Sequence, residues 1–197
     1  PTGSAGDVAP DRLVDEWLRY DNDINNNALG LTAGGTMEWA MRLTPTELAG
    51  YDGWNLTTVQ FHYGMTGSTI TPSTILITVY DQGTASSPGS VITTESFYAP
   101  SIGWFDVPLT TPIVIDETRD IWISCTATHP EGEYPAGMND LVSVPGKGSW
   151  LNLGGWTDYS GNFWTFNIAA GIEEGGVTPP PPPPPPPMNI TVYNQTH

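Results

Sequence analysis

The sequence predicts an all-β fold, an antiparallel jelly-roll sandwich, from three observations. Short runs rich in β-branched and aromatic residues are separated by clusters of Gly, Pro, Asn and Asp. Apolar residues fall at alternate positions in the clearest runs: Val59, Phe61 and Tyr63 share one face, and Ile75, Ile77 and Val79 share another. Helical periodicity and βαβ spacing are nearly absent, which favours antiparallel pairing between two layers.

The elements follow in chain order. Pro10 to Leu18 is the one candidate helix, although Trp17–Tyr20 equally starts a strand. The predicted strands, each bounded by turn residues, are Thr36–Leu43, Leu56–Tyr63, Thr74–Tyr80, Val91–Tyr98, Trp104–Pro108, Ile113–Ile115, Asp120–Thr128, Ser149–Leu153 and Trp164–Ala170.

Composition narrows the function classes. The 197 residues include 21 acidic and 5 basic ones, a formal charge of −16, so nucleic acid and anionic membrane surfaces are poor partners. No apolar run approaches the roughly 20 residues of a membrane helix, so membrane insertion is not expected.

Only 13% of residues are charged while Thr, Ser, Asn and Gly abound, which is typical of secreted or cell-surface β-proteins. No signal peptide is visible, so secretion is inferred from composition and sequons.

No catalytic constellation is evident. The single cysteine, Cys125, ends the apolar run that starts at Ile121, and we expect a buried core thiol. The sequence has no Gly-x-Ser-x-Gly elbow and no pair of histidines at zinc spacing. We therefore expect a protein that is not an enzyme and requires no cofactor.

The chain divides into three parts. Residues 1–178 form the predicted jelly-roll sandwich, and 179–187 are nine consecutive prolines. Such a run adopts a polyproline II rod, about 28 Å long at ~3.1 Å per residue. Residues 188–197 form a predicted C-terminal β-strand tail.

The tail carries the pattern of a half-buried strand. Met188, Ile190 and Val192 fall on one face of an extended segment. Because a lone strand is unstable in water, we expect it to insert into a sheet edge of a neighbouring subunit, and repetition of that contact gives a filament of identical subunits. Two alternatives stay open: the tail begins a further domain, with the prolines as linker, or it folds back onto its own sheet.

Two further kinds of site are predicted. Asn55, Asn189 and Asn194 lie in Asn-x-Thr sequons, candidates for glycosylation. Asp21, Asp23 and Asn25 place oxygen atoms at alternate positions, as calcium loops do, so calcium is a candidate ligand. The loop lacks the Gly and the closing Glu of an EF-hand, and Asx turns without metal share its composition.

The tryptophans fall into two groups. Three stand within apolar strands and are predicted core residues: Trp39, Trp122 and Trp164. Four stand beside glycines near loops, where they either pack or form platforms for sugars: Trp54, Trp104, Trp150 and Trp156.

Several phrases together resemble a known family. They are Tyr20-Asp21-Asn22 before Gly30, Trp39-Ala40-Met41-Arg42-Leu43 before Tyr51, Gly103-Trp104-Phe105, Ile121-Trp122-Ile123, and Gly148-Ser149-Trp150 before Trp156. Over roughly residues 17–171 they resemble the cleaved-adhesin type of jelly-roll domain. The resemblance implies a jelly roll, an extracellular location, adhesion and often bound calcium. The proline run and tail are instead similar in architecture to donor-strand-assembled jelly-roll subunits of extracellular filaments.

The leading hypothesis from the sequence is a structural subunit of an extracellular filament, which polymerises by inserting its tail strand into a neighbour. The alternative is a carbohydrate-binding or adhesin module of a larger secreted protein, with glycans as partners. A secreted hydrolase lacks a recognisable site.

Overall fold

The computed structural model describes residues 14–162 and 164–175, and these form two antiparallel sheets packed as a sandwich. The all-β prediction is confirmed, whereas the strand connections of a jelly roll stay a prediction. The strands are β1 (Glu16–Arg19), β2 (Asn27–Leu29), β3 (Gly35–Leu43), β4 (Asn55–Tyr63), β5 (Ser73–Tyr80), β6 (Val91–Ala99), β7 (Gly103–Val114), β8 (Ile121–His129), β9 (Ala136–Asn139), β10 (Trp150–Asn152), β11 (Trp156–Asp158), β12 (Thr165–Phe166) and β13 (Ile168–Glu173).

One sheet has seven strands, in the order β1-β13-β4-β9-β12, with β7 also paired to β4 and β2 to β9. The other has six, in the order β11-β10-β3-β8-β5-β6. Their pairing registers are antiparallel throughout, with β3 and β8 matched over nine residue pairs. No helix of the described ranges is long and apolar enough to cross a membrane.

The core lies between the two sheets. Val59, Phe61 and Tyr63 of β4 are fully buried, as are the alternate residues Ile75, Ile77 and Val79 of β5. The alternation in the sequence therefore identifies the inward faces correctly. Cys125 is also fully buried, which confirms the predicted core thiol, and burial raises its pKa so that the thiol is not a ready nucleophile.

A short helix, α1 (Pro45–Leu48), follows β3 and was not predicted. Thr44 is its N-cap, and the Glu47 carboxylate accepts a hydrogen bond from the Thr44 backbone N–H at 3.0 Å, which completes a capping box. Its Leu48 is fully buried, so the helix closes the core where β3 ends.

Several predicted boundaries change. The helical alternative for Pro10–Leu18 is wrong at its second half, because Glu16–Arg19 is strand β1, paired to β13. The predicted runs Trp104–Pro108 and Ile113–Ile115, except for Ile115 itself, belong to one strand, β7, and Trp164–Ala170 is divided between β12 and β13. The polyproline run, the tail residues Met188, Ile190 and Val192, and the sequons at Asn189 and Asn194 lie outside the described residues.

Candidate functional site

A row of six side chains crosses the outer face of the six-stranded sheet, one from each strand. The pairing registers place them side by side: Trp156, Asn152, Glu38, Thr126, Leu76 and Ser96. They face outward because the flanking residues of β3 and β8, such as Trp39 and Cys125, belong to the core between the sheets. We call this row and the side chains that contact it the Glu38 face.

Glu38 is the centre of a hydrogen-bond network on this face. Its Oε1 accepts hydrogen bonds from Tyr80 Oη and Ser124 Oγ, each at 2.6 Å. Its Oε2 accepts one from Asn152 Nδ2 at 2.9 Å. Within the described ranges no ion pair involves Glu38, so the side chains that hydrogen-bond its carboxylate are neutral donors. Burial, and then the hydrogen bond to Glu38, raises the pKa of Tyr80 to about 12.

An aromatic cluster borders the network. Trp122 packs between Trp150 and Trp156, with ring centroids 4.9 Å and 5.8 Å apart. Trp122 and Trp150 are buried, and each has an indole N–H with no hydrogen-bond partner among the described residues. Trp156, on edge strand β11, is only partly buried. The Arg42 guanidinium lies over the Trp122 ring, 5.8 Å from the ring centroid, and pairs with Asp120 at 2.7 Å.

This combination suits a sugar ring. The apolar C–H face of a sugar packs against an aromatic ring, and its hydroxyls hydrogen-bond to fixed carboxylate, amide and hydroxyl groups. Trp156 supplies a partly exposed ring. Its cross-strand neighbour, Asn152, is also the cross-strand neighbour of Glu38. Because their partners fix these polar groups in place, little rotamer freedom is lost on binding.

A second feature is an apolar pocket at the margin of the sandwich, with a volume of about 330 Å³. It opens between β2, β9 and β12 of one sheet and the segments before β10 and after β11 of the other. Its lining residues are Asn27, Ala28, Leu29, Met138, Ser149, Tyr159, Trp164 and Phe166. We call it the β2 pocket.

The residues of the predicted calcium loop contact protein groups. Arg19 Nη1 lies 3.1 Å from Asp21 Oδ1 and 2.9 Å from Asp23 Oδ1, so a guanidinium already stands between the two carboxylates. Asn25 Oδ1 accepts hydrogen bonds from the Met138 backbone N–H at 3.1 Å and from Asn167 Nδ2 at 2.9 Å. In this arrangement calcium would have to compete with Arg19 for the two carboxylates. Calcium binding stays a prediction.

Arg19 belongs to a stack on the outer face of the seven-stranded sheet. Its guanidinium lies 5.8 Å from the Trp17 ring and 5.7 Å from the Trp104 ring. It also donates a hydrogen bond to Gln60, whose Nε2 donates to Asp106 at 2.8 Å. We call this the Arg19 face.

The histidines within the described ranges have structural contacts. His62 packs edge-on against Trp104 with centroids 5.1 Å apart, and burial lowers its pKa to about 4. His129 Nε2 accepts a hydrogen bond from the Leu31 backbone N–H at 3.1 Å. Groups of three or more His, Cys, Asp or Glu able to hold a metal are absent from residues 14–162 and 164–175.

The sequon at Asn55 lies at the start of β4, between β13 and β7. Its Thr57 is 2% exposed, and Thr57 Oγ1 donates to Glu173 Oε1 at 2.9 Å. A glycosylating enzyme needs access to that hydroxyl, so modification at Asn55 would have to precede folding of β4.

The three tryptophans predicted as core residues all pack against other side chains, but one of them lies in a different cluster from the one expected. Trp39 and Trp122 are fully buried, and Trp164 packs partly buried against the core. Trp122, however, belongs to the outer cluster of the Glu38 face. Trp54 packs edge-on against Tyr51, with centroids 5.1 Å apart.

Sequence reasoning missed Glu38, Asn152, Tyr80 and Ser124 as a group. The local signal was an acid between Met37 and Trp39 within an apolar strand. Its partners lie 42 to 114 residues away along the chain, so only the strand order brings them together.

Comparison with known proteins adds a fold relationship. No protein-family model matches the chain, and no curated protein matches it. The chain is similar to a crystal structure of the cysteine protease and lectin-like domains of Cwp84, a surface layer associated protein of Clostridium difficile. The TM-score is 0.55 at 12% identity, over 71% of this chain and 32% of that one. This chain thus spans about a third of that structure, and the likeness shows a shared β-sandwich fold.

Proposed function

We propose that this chain is an extracellular or cell-surface adhesive module that binds carbohydrate on its Glu38 face. The observation that carries the proposal is the Glu38 carboxylate, held by three hydrogen bonds in the same row as the partly exposed Trp156. The lectin-like domain named in the similar structure and the adhesin resemblance of the sequence both support this function.

Charge narrows the ligand class. The chain carries a formal charge of −16, and Glu38 has no basic partner in the described ranges. Sulfated or uronic-acid polymers would be repelled, so the expected ligands are neutral glycans that offer hydroxyl donors to Glu38.

A glycan array probed with the full chain tests this proposal. Binding to neutral glycans should fall at least tenfold in Trp156→Ala and in Glu38→Gln. Tyr134→Ala is the matched control, since Tyr134 is a 40% exposed aromatic residue outside the Glu38 face. Absence of glycan binding, or binding that both Glu38-face variants retain, would refute the proposal. Turnover of a polysaccharide or peptide by the purified chain would show an enzyme instead.

A second function, a filament subunit that polymerises by strand donation, is favoured by a separate observation. The β2 pocket is apolar and lies beside the short strand β2, and residues 188–193 carry an alternating apolar pattern that needs a partner sheet. Deletion of residues 179–197 should leave a folded monomer that forms no polymer. Filaments that persist after this deletion would exclude strand donation.

A further inference from the structure

We propose that the β2 pocket accepts the apolar face of the segment Met188–Tyr193 from a second copy of this chain. The proposal rests on the strand-donation function above and assigns the acceptor that the sequence left open. Four observations support it: the chemistry of the pocket, the apolar loop hydrogen-bonded to it, the charge of the chain and the direction of β13.

The pocket matches two aliphatic side chains in size and chemistry. Ala28, Leu29, Met138 and Phe166 line it with hydrocarbon. Its volume of about 330 Å³ is roughly twice that of a cavity of ~150 Å³ that takes one benzene ring. Residues at alternate positions of a strand, such as 190 and 192, point to the same face, so both reach one pocket.

A loop with exposed apolar side chains is hydrogen-bonded to one residue of the pocket. Ser149, which lines the pocket, hydrogen-bonds Ser143 in the loop between β9 and β10. That loop exposes Leu141, Val142 and Val144, and Val142 is 74% exposed. Apolar side chains gathered beside an apolar pocket are typical of a protein-binding surface.

The distribution of charge favours the tail segment, rather than a folded surface of a second copy, as the group that enters the pocket. Residues 188–196 contain no Asp, Glu, Lys or Arg, whereas the complete chain carries a formal charge of −16. Two such bodies in broad contact repel each other, while an uncharged strand on a tether avoids that repulsion.

Strand β13 starts beside the β2 pocket and runs away from it, so the described chain ends at a distance from the pocket. Phe166, in the pocket, lies just before β13, and the described chain ends beyond Glu173 with Gly175 packed against the Gly53 backbone. Six strand residues span roughly 20 Å. A tail that continues away from Gly175 reaches the pocket of a following copy, whereas its own pocket requires a reversal. The resulting contact is head-to-tail and does not close.

Cysteine pairs in the full chain test the acceptor. One preparation carries Ala28→Cys and another Ile190→Cys; Cys125 stays reduced because it is fully buried. Mixed under mild oxidation, the two should form at least tenfold more disulfide-linked dimer than Ile190→Cys mixed with Thr111→Cys, an exposed position on β7. A chain with both Ala28→Cys and Ile190→Cys should give a ladder of covalent multimers on a non-reducing gel.

The outcomes separate the acceptor from strand donation itself. Cross-linking no better than the Thr111 control overturns the acceptor, and polymer lost on deletion of 179–197 would then still support strand donation. A double-cysteine chain that closes only within one molecule overturns the second copy as donor. Ile190→Asp should abolish multimers while Asn189→Asp, which adds the same charge on the opposite face, keeps them. Equal effects of these two substitutions would contradict docking of the apolar face.

Discussion

Each outer face of the sandwich holds a partly buried charged side chain among aromatic residues, but Arg19 and Glu38 have different kinds of partner. On the Arg19 face, one guanidinium is paired with Asp21 and Asp23 and lies over Trp17 and Trp104. On the Glu38 face, a carboxylate accepts hydrogen bonds from neutral groups only. The first arrangement pairs opposite charges, whereas in the second no ion pair within the described residues involves the carboxylate. We infer that the Arg19 face serves stability and the Glu38 face serves recognition.

The largest expected effect concerns the Arg19 face. In Arg19→Gln, the carboxylate of Asp21, whose side chain is 0% exposed, loses its counter-charge. Breaking a buried pair from one side typically costs about 3–5 kcal/mol, so the free energy of unfolding should fall by that order in urea titrations. Arg119→Gln is the control, because its pair with Asp81 is 45% and 38% exposed and should contribute less than about 1 kcal/mol. Equal losses in the two variants would contradict the stabilising role of the Arg19 face.

His62, also on the Arg19 face, predicts a pH dependence. Burial lowers its pKa to about 4 from an unfolded value of about 6.5. The unfolded chain therefore binds the proton more tightly. The contribution to stability is fully present above pH 6.5 and is lost as the pH falls toward 4, by up to about 3 kcal/mol.

Denaturation series between pH 7 and pH 4 test this dependence. The slope of stability against pH should be smaller in His62→Gln than in the parent chain. Identical slopes for His62→Gln and the parent would show that His62 is not the titrating group.

Local pattern explains which parts of the fold were predictable. The period-2 alternation of β4 and β5 is a property of adjacent residues, and it identified the buried faces without any knowledge of pairing. The strands β2, β9 and β11 have only three or four residues each, and they depend on partner strands rather than on their own composition. The Glu38 network joins four strands, so its residues carry no shared local signal.

Glu38→Gln tests the hydrogen-bond network of the Glu38 face, and its expected loss of stability is intermediate among these substitutions. Donors converge on both carboxylate oxygens, so the amide nitrogen of Gln must face at least one of Tyr80, Ser124 or Asn152. We expect a loss of about 1–3 kcal/mol in the free energy of unfolding, measured in urea, because a buried donor is left unsatisfied. Glu131→Gln, in an exposed loop, should change stability by less than about 0.5 kcal/mol. A neutral result for Glu38→Gln would mean that the carboxylate is not needed to hold its three donors.

The smallest expected losses of stability come from substituting one tryptophan on each outer face, and these two variants should differ clearly in glycan binding. Trp17 and Trp156 are both partly buried tryptophans on edge strands, β1 and β11, of different sheets. Trp17 packs against Arg19 and Trp156 packs against Trp122, and both rings are partly exposed, so Trp17→Ala and Trp156→Ala should each lower stability by only about 1–2 kcal/mol. Their effects on glycan binding should differ: Trp156→Ala should weaken binding at least tenfold, and Trp17→Ala should leave it unchanged. Isothermal titration with a neutral oligosaccharide measures both, and a reversed order would move the recognition surface to the Arg19 face.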